Sequence, residues 1–435
     1  MGSFTRSKLV THREVMMVDS TCTSGSGQSP GLCTPGRGLR APQIARSLSR
    51  RALIGSAVVA GLGAAIVDPA AASASQVADS QQADPGGSFS PATGRILQQI
   101  IASGWGASNA PGFNVGIWVP GQGSYVQTLG VSDLATGAPL QPDDHFRIGS
   151  VTKTFTATAI LQLVDEHKIS LDDRLARYVT GIPYGDQITI AQLLGMTSGV
   201  YDFVNDPEFT AAYVANPLLP FSLSQVVAII QRNKPLFPPG TSIAYDNSGY
   251  YLLGAIAEKV SGLPLGQLIA EKITRPLGLS QTSYPATPAM PAPFSRGYLV
   301  NAASFSDATA SNPAVPAGAG AMISTLSDLK VWAKALATGT LLTPATQALR
   351  LKTRVLVPSP QLTARYGLGI ASFNGFLGHD GSVFGYGTTI LYLPAKDATI
   401  VGLSNTAVIV GNPPPLLITL AVAAHLFPEQ FPDGI

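Results

Sequence analysis

The sequence predicts an α/β (α+β) fold: an antiparallel sheet flanked by helices, built from both ends of the chain, with an all-α subdomain inserted at about residues 160–285. Three observations carry that expectation. The 435 residues are 45% hydrophobic and only 12% charged, enough apolar material for a sizeable core. Strand-like runs occur near the front, as "FNVGIWV" and "YVQTLGV", and return over the last hundred residues as "RYGLGI", "FLGHDG", "TTILYLP" and "TIVGLSN". Between them the pattern turns helical, from Ser150 to about Leu279, broken by Pro/Gly loops such as "FPPGTS".

Residues 1–74 read as a leader. They hold eight Lys/Arg against three Asp/Glu, leaving nineteen basic and twenty-two acidic residues, a net of −3, in the rest. Paired Arg50 and Arg51 precede an Ala/Gly-rich apolar run, Ala52–Val67, and an A-x-A pattern at Ala72-Ser73-Ala74. That is the order of a bacterial export signal of the twin-arginine type, with cleavage near Ala74. Sixteen small residues are too few and too weakly apolar for a stable membrane span. The stretch 75–90, "SQVADSQQADPGGSFS", reads as a linker, and 91–435 as the catalytic domain.

Within that domain a helix is expected at Ala92–Ser103, then a hairpin whose strands are separated by "PGQG". A second helix opens near Ser150, with Ile160, Leu163, Val164 and His167 along one face. Another helix starts within Ala321–Leu329, where Thr325 and Asp328 are spaced as a capping box. The final apolar stretch, Leu416–Phe427, is too short for an anchor and is expected to be a helix packed on the sheet.

Composition excludes several function classes. The formal net charge of +2 argues against nucleic-acid binding. Both cysteines, Cys22 and Cys33, fall in the leader, which leaves the domain without a disulfide, a thiol nucleophile or a Cys-ligated metal. The later histidines, His145, His167, His379 and His425, form no H-x-x-x-H or H-E-x-x-H pattern. No metal or cofactor is expected, and the partner is expected to be a small molecule or short peptide met by a monomer. The G-x-S-x-G elbow of α/β-hydrolases occurs only at Gly27–Gly31, inside the leader.

Three short motifs remain. Ser150 and Lys153 are one helical turn apart at the mouth of an apolar helix, where amide dipoles favour a developing alkoxide and a desolvated lysine can take the serine proton. Spacing alone is weak support, because Ser327 and Lys330 repeat it, and there a helix cap with a solvated lysine is the better reading. Tyr245-Asp246-Asn247 lies in a loop before a helix. Its phenol can relay a proton if a cation favours the phenolate, and its amide can bond a substrate carbonyl or amide. His379-Asp380-Gly381 lies on an expected strand whose glycine lets a substrate backbone approach.

In this order, S-x-x-K, Y-x-N and H-x-G resemble the penicillin-recognising serine hydrolases: class C β-lactamases, D-alanyl-D-alanine carboxypeptidases and related esterases. "HFRIGSVTKTFTATAILQLVDEHKISLDDRL", "ITIAQLLGMTSGVYDFVND" and "PPGTSIAYDNSGYYLLGAIAEKVSG" are most similar to the Streptomyces-type secreted D,D-carboxypeptidases, and the likeness runs from about Pro91 to Asn405. The resemblance implies Ser150 as the acylated nucleophile, Lys153 as its base, and Tyr245 as the group sharing that proton and protonating the leaving group. It implies Asn247 holding the acyl-side amide, His379 adding a polar or cationic contribution, and backbone N–H groups of Ser150 and Ser382 forming an oxyanion hole. Asp380, Gly381 and Ser382 would line the substrate edge.

Two departures bear on substrate. Asp380 stands where the peptidase has threonine, and Ala371 where it has the arginine that binds the substrate's terminal carboxylate. Either the pocket no longer suits a carboxylate, or Asp380 points away and a base such as Arg365 or Arg296 supplies the charge. The functions this leaves are an exported D-Ala-D-Ala carboxypeptidase or β-lactamase working through an acyl-enzyme on Ser150, an esterase or amidase for neutral substrates, and a weakly catalytic binder of cell-wall ligands.

Overall fold

The structure, a computed structural model, describes residues 87–301, 304–357, 362–407 and 414–432. The leader, its cysteines and the linker up to residue 86 lie outside them.

Helix α1 (Pro91–Ser108) leads into strands β1 (Gly112–Val119), β2 (Gly123–Asp133) and β3 (Ala138–Pro139). Six helices follow: α2 (Thr152–Asp165), α3 (Ile190–Leu194), α4 (Pro207–Ala215), α5 (Leu223–Arg232), α6 (Ser248–Ser261) and α7 (Leu265–Ile269). Short strands of two small sheets, at Tyr298–Asn301, Ser304–Asp307 and Ile323–Ser324, precede helices α8 (Leu326–Thr338) and α9 (Pro344–Arg350). The chain then returns to strands β4 (Arg354–Val357), β5 (Ala364–Tyr366), β6 (Ala371–Phe373), β7 (Phe376–Val383), β8 (Tyr386–Leu393) and β9 (Ala398–Ser404), and ends in α10 (Pro414–Leu426).

The nine strands form one sheet in the order β3-β2-β1-β9-β8-β7-β6-β5-β4, with antiparallel neighbours throughout. The join between early and late strands is β1 on β9, with Phe113 opposite Ser404 and Trp118 opposite Thr399. The sheet is therefore built from both ends of the chain, with helices between, as the sequence predicts. Strands β8 and β9 are buried at every residue, because α8 and α10 pack on them. Such strands read as unbroken apolar runs rather than alternating ones. Among the described residues, no helix is long and apolar enough to cross a membrane.

Several boundaries differ from expectation for visible reasons. Helix α1 runs five residues past Ser103, because Gly104 lets Ile418 of α10 pack closely and the Trp105 indole closes the end on the Ala110 carbonyl at 2.8 Å. Ser150 does not open α2: Gly149–Val151 form a tighter 3-10 turn and the α-helix starts at Thr152. The helix is also not one-sided, since every residue from Thr152 to Leu161 is buried, and it ends before His167, whose φ of 57° is left-handed. The capping box at α8 is half made. Thr325 Oγ1 accepts from the Asp328 amide, but the Asp328 carboxylate turns to the Gln281 amide and the Thr282 hydroxyl, both at 2.8 Å.

Helix α2 is held against α8 by the Phe155 and Trp332 rings, stacked with centroids 4.0 Å apart, and by the Trp332 indole donating to Thr154 Oγ1 at 2.8 Å. Both rings are almost wholly buried. Trp332→Ala is expected to cost about 3–5 kcal/mol in urea unfolding and to lower catalytic activity by loosening α2.

Candidate active site

Two glycines let the Ser150 turn and strand β7 touch backbone to backbone. Gly149 takes φ +49°, and a Cβ there would lie 2.9 Å from the backbone of Ser382. A Cβ on Gly381 would lie 2.2 Å from the Ile148 carbonyl oxygen and 3.0 Å from the Ser150 amide nitrogen. Any larger residue at either position would force the strand off the turn.

Lys153, the second residue of α2, is fully buried. Three oxygens surround its nitrogen: Ser150 Oγ at 3.1 Å, Asn247 Oδ1 at 2.7 Å and the Ala319 carbonyl at 2.9 Å. Burial pushes its ammonium down to about 7, opposed by the carboxylates of Asp202, Asp246 and Asp380. A neutral amine with its two N–H bonds given to Asn247 and Ala319 keeps its lone pair for the Ser150 hydroxyl. This arrangement can take the proton of Ser150 as a nucleophilic oxygen forms.

Tyr245 approaches from the loop before α6 and shares a hydrogen bond with the Ser150 side chain. Its ring lies under the Lys153 nitrogen at 4.9 Å. Burial holds the phenol well above its ordinary range. In the resting site Tyr245 is a neutral phenol. Asn247, two residues on, gives its carbonyl to Lys153 and donates Nδ2 to Asp202 at 2.9 Å, which leaves one amide N–H for a ligand.

Strand β7 brings the third motif. His379 is buried, with Nε2 3.0 Å from the Tyr366 hydroxyl and Nδ1 against the Asp380 carbonyl. Burial drops its pKa to about 3, so it is a neutral imidazole and makes no cationic contribution. Asp380, whose side chain is 34% exposed, has a carboxyl pushed upward by desolvation. Its carboxylate lies close enough to Lys153, Tyr245 and Tyr366 to raise the proton affinity of each. Ser382 is exposed at the edge of the same strand.

Neither arginine replaces a lost carboxylate partner. Arg296 is bonded to Asp133 at 3.1 Å and Asp307 at 2.8 Å, and Arg365 donates to the hydroxyl and carbonyl of Thr353 at 2.9 and 3.2 Å. Ala371 is buried on β6 opposite Gly378. The second S-x-x-K pair is elsewhere: Ser327 is exposed and bonded to Thr325 at 3.2 Å, and Lys330 lies over the Trp118 ring at 4.7 Å.

The eight residues singled out from the sequence thus meet in one place. Three participants were missed: Asp202, the Ala319 carbonyl and Tyr366. A carboxylate in an apolar string, "TSGVYDF", is a signal for the first; a backbone carbonyl leaves none.

Fold and site together define a serine hydrolase of the β-lactamase and penicillin-binding type. The beta-lactamase family model matches residues 97–419, and the chain belongs to that family. A D-stereospecific amidohydrolase from Streptomyces sp. superposes with a TM-score of 0.69 at 30% identity, over 77% of this chain and 99% of that one. An unguisins hydrolase of Aspergillus campestris is 28% identical over 68% of this chain and 58% of its own length. A penicillin-binding protein of Bacillus subtilis is 30% identical over 36% of this chain and 34% of its own. The chain therefore spans between about a third and three-fifths of these two curated relatives.

Because the Lys153 ammonium must lose its proton before it can act, hydrolysis is expected to rise with pH through about 7. Asp246, pushed up to about 7 by burial and by Asp202, titrates in the same window. A profile of kcat/KM on an uncharged ester checks this, with a fall approaching about tenfold per pH unit below the limb.

Proposed function

We propose that the chain is an exported hydrolase that works through an acyl-enzyme on Ser150 and cleaves amides or esters lacking a carboxylate beside the scissile bond. Lys153 takes the Ser150 proton while Oγ attacks the substrate carbonyl, and backbone N–H groups of Ser150 and Ser382 receive the oxyanion. The C–N or C–O bond then breaks, and the proton passes through Tyr245 to the leaving group. Water, activated by the same pair, releases the acid and restores Ser150. Asn247 uses its remaining N–H on the acyl-side amide, and neutral His379 holds Tyr366 in place. Export rests on the Arg50–Arg51 signal in the leader.

The single observation that carries the substrate choice is Asp380. A leaving group ending in carboxylate, as in D-Ala-D-Ala peptides, would approach this carboxyl, and the candidate bases Arg296 and Arg365 are engaged with other partners. The likeness to an amidohydrolase supports the amide class. Side-by-side assays on a D-Ala-D-Ala peptide, a cephalosporin and a neutral amide or ester test the choice; preference for the peptide overturns it in favour of a carboxypeptidase. Ser150→Ala is expected to abolish hydrolysis of short p-nitrophenyl esters, and normal turnover by that variant would sink the assignment. Asp380→Thr is expected to raise the ratio of peptide to ester activity, read from paired kcat/KM values.

A further inference from the structure

We propose that Asp202 is a positioning residue of the reaction: it fixes the side-chain amide of Asn247 so that the carbonyl faces Lys153, and its charge sets the proton affinity of the lysine. The inference rests on the nucleophile and base assigned above.

Asp202 sits at the end of the loop between α3 and α4, is 3% exposed, and caps a short 3-10 turn at Phe203–Asn205. The loop is pinned to α6 by the Phe203 amide donating to Ser248 Oγ at 2.9 Å. One carboxylate oxygen accepts from Asn247 Nδ2 at 2.9 Å, and the other takes the Val204 amide at 3.4 Å. A carboxylate only accepts, so it selects the N–H side of the Asn247 amide. The opposite end, Oδ1, is thereby committed to the Lys153 nitrogen at 2.7 Å. Reversing the amide would set an NH2 group against the lysine and a carbonyl against the carboxylate, losing both bonds. The result is one chain of contacts: Asp202, Asn247, Lys153, Ser150.

The charge has a second effect. The groups facing Lys153 are Asp202, Asp246 and Asp380, the phenols of Tyr245 and Tyr250, and the neutral imidazole of His379. Among the carboxylates, Asp202 does most to favour the ammonium against its burial, and it also raises Asp246. Removing it lowers the proton affinity of both neighbours, so the rising limb of the pH profile moves to lower pH.

Asp202→Asn in the full chain tests both parts. Its side chain keeps the volume but can offer an N–H to Asn247, which lets the amide reverse. The expected result is a fall in kcat of about tenfold or more on an uncharged ester with KM nearly unchanged, together with a limb shifted to lower pH. Pairing it with Asn247→Ala adds a discriminating cycle: the Asp202→Asn effect on kcat should largely vanish in that background. A folded Asp202→Asn enzyme with wild-type kcat and an unmoved limb overturns the inference, as do strictly additive effects in the cycle. If Asp202→Asn does not fold, Asp202→Glu, which retains the charge, must keep the wild-type limb, and a limb shifted downward there overturns it. Loss of activity in Ser150→Ala alongside a wild-type Asp202→Asn rejects this inference alone, whereas an active Ser150→Ala rejects the underlying assignment.

Discussion

The structure depends on keeping one amine, that of Lys153, away from water. Withdrawing an ammonium from water without full compensation costs several kcal/mol, which a protein avoids by lowering the charge or by supplying partners. Both occur here. Carbonyl oxygens from Asn247 and Ala319 replace water around the nitrogen, and buried carboxylates oppose, without cancelling, the loss of the proton. Each partner comes from a different part of the chain: the loop before α6, the turn before α8, the loop after α3. Three separate stretches of chain thus converge on a single nitrogen.

A second constraint is steric. Strand β7 can supply its edge only because Gly149 and Gly381 present no side chains where the strand crosses the serine turn. This makes the site a joint between the part of β7 beyond its pairing with β6 and the turn before α2. Asp380, adjacent to one of these glycines, is held at the joint whatever substrate arrives. Its carboxyl is a fixed part of the cleft.

Much of this was legible in the sequence. The hairpin and the late strands announced themselves through β-rich runs and glycine-bearing turns, and the three motifs named seven of the eight residues that meet at the site, with Ser382 just past the last. Where the reading fell short, long-range packing decided. The end of α1 is set by Ile418, more than three hundred positions away, and the burial of α2 on all sides erases the one-sided pattern expected of a surface helix. Charge states were the least legible. Nothing local in "FLGHDG" says that His379 is buried deeply enough to stay neutral, and nothing in "AYDN" says that Lys153 will meet the face of the Tyr245 ring.

The pairing of β1 with β9 has a consequence in time. Ser150 and Lys153 are synthesised early, yet the strand that completes their cleft, and the one that locks the sheet shut from Phe113 to Ser404, come more than two hundred residues later. Contacts so distant along the chain form slowly. The nascent polypeptide therefore carries its nucleophile for most of its synthesis without the edge that would let it act, and reactivity arrives only with the final segments.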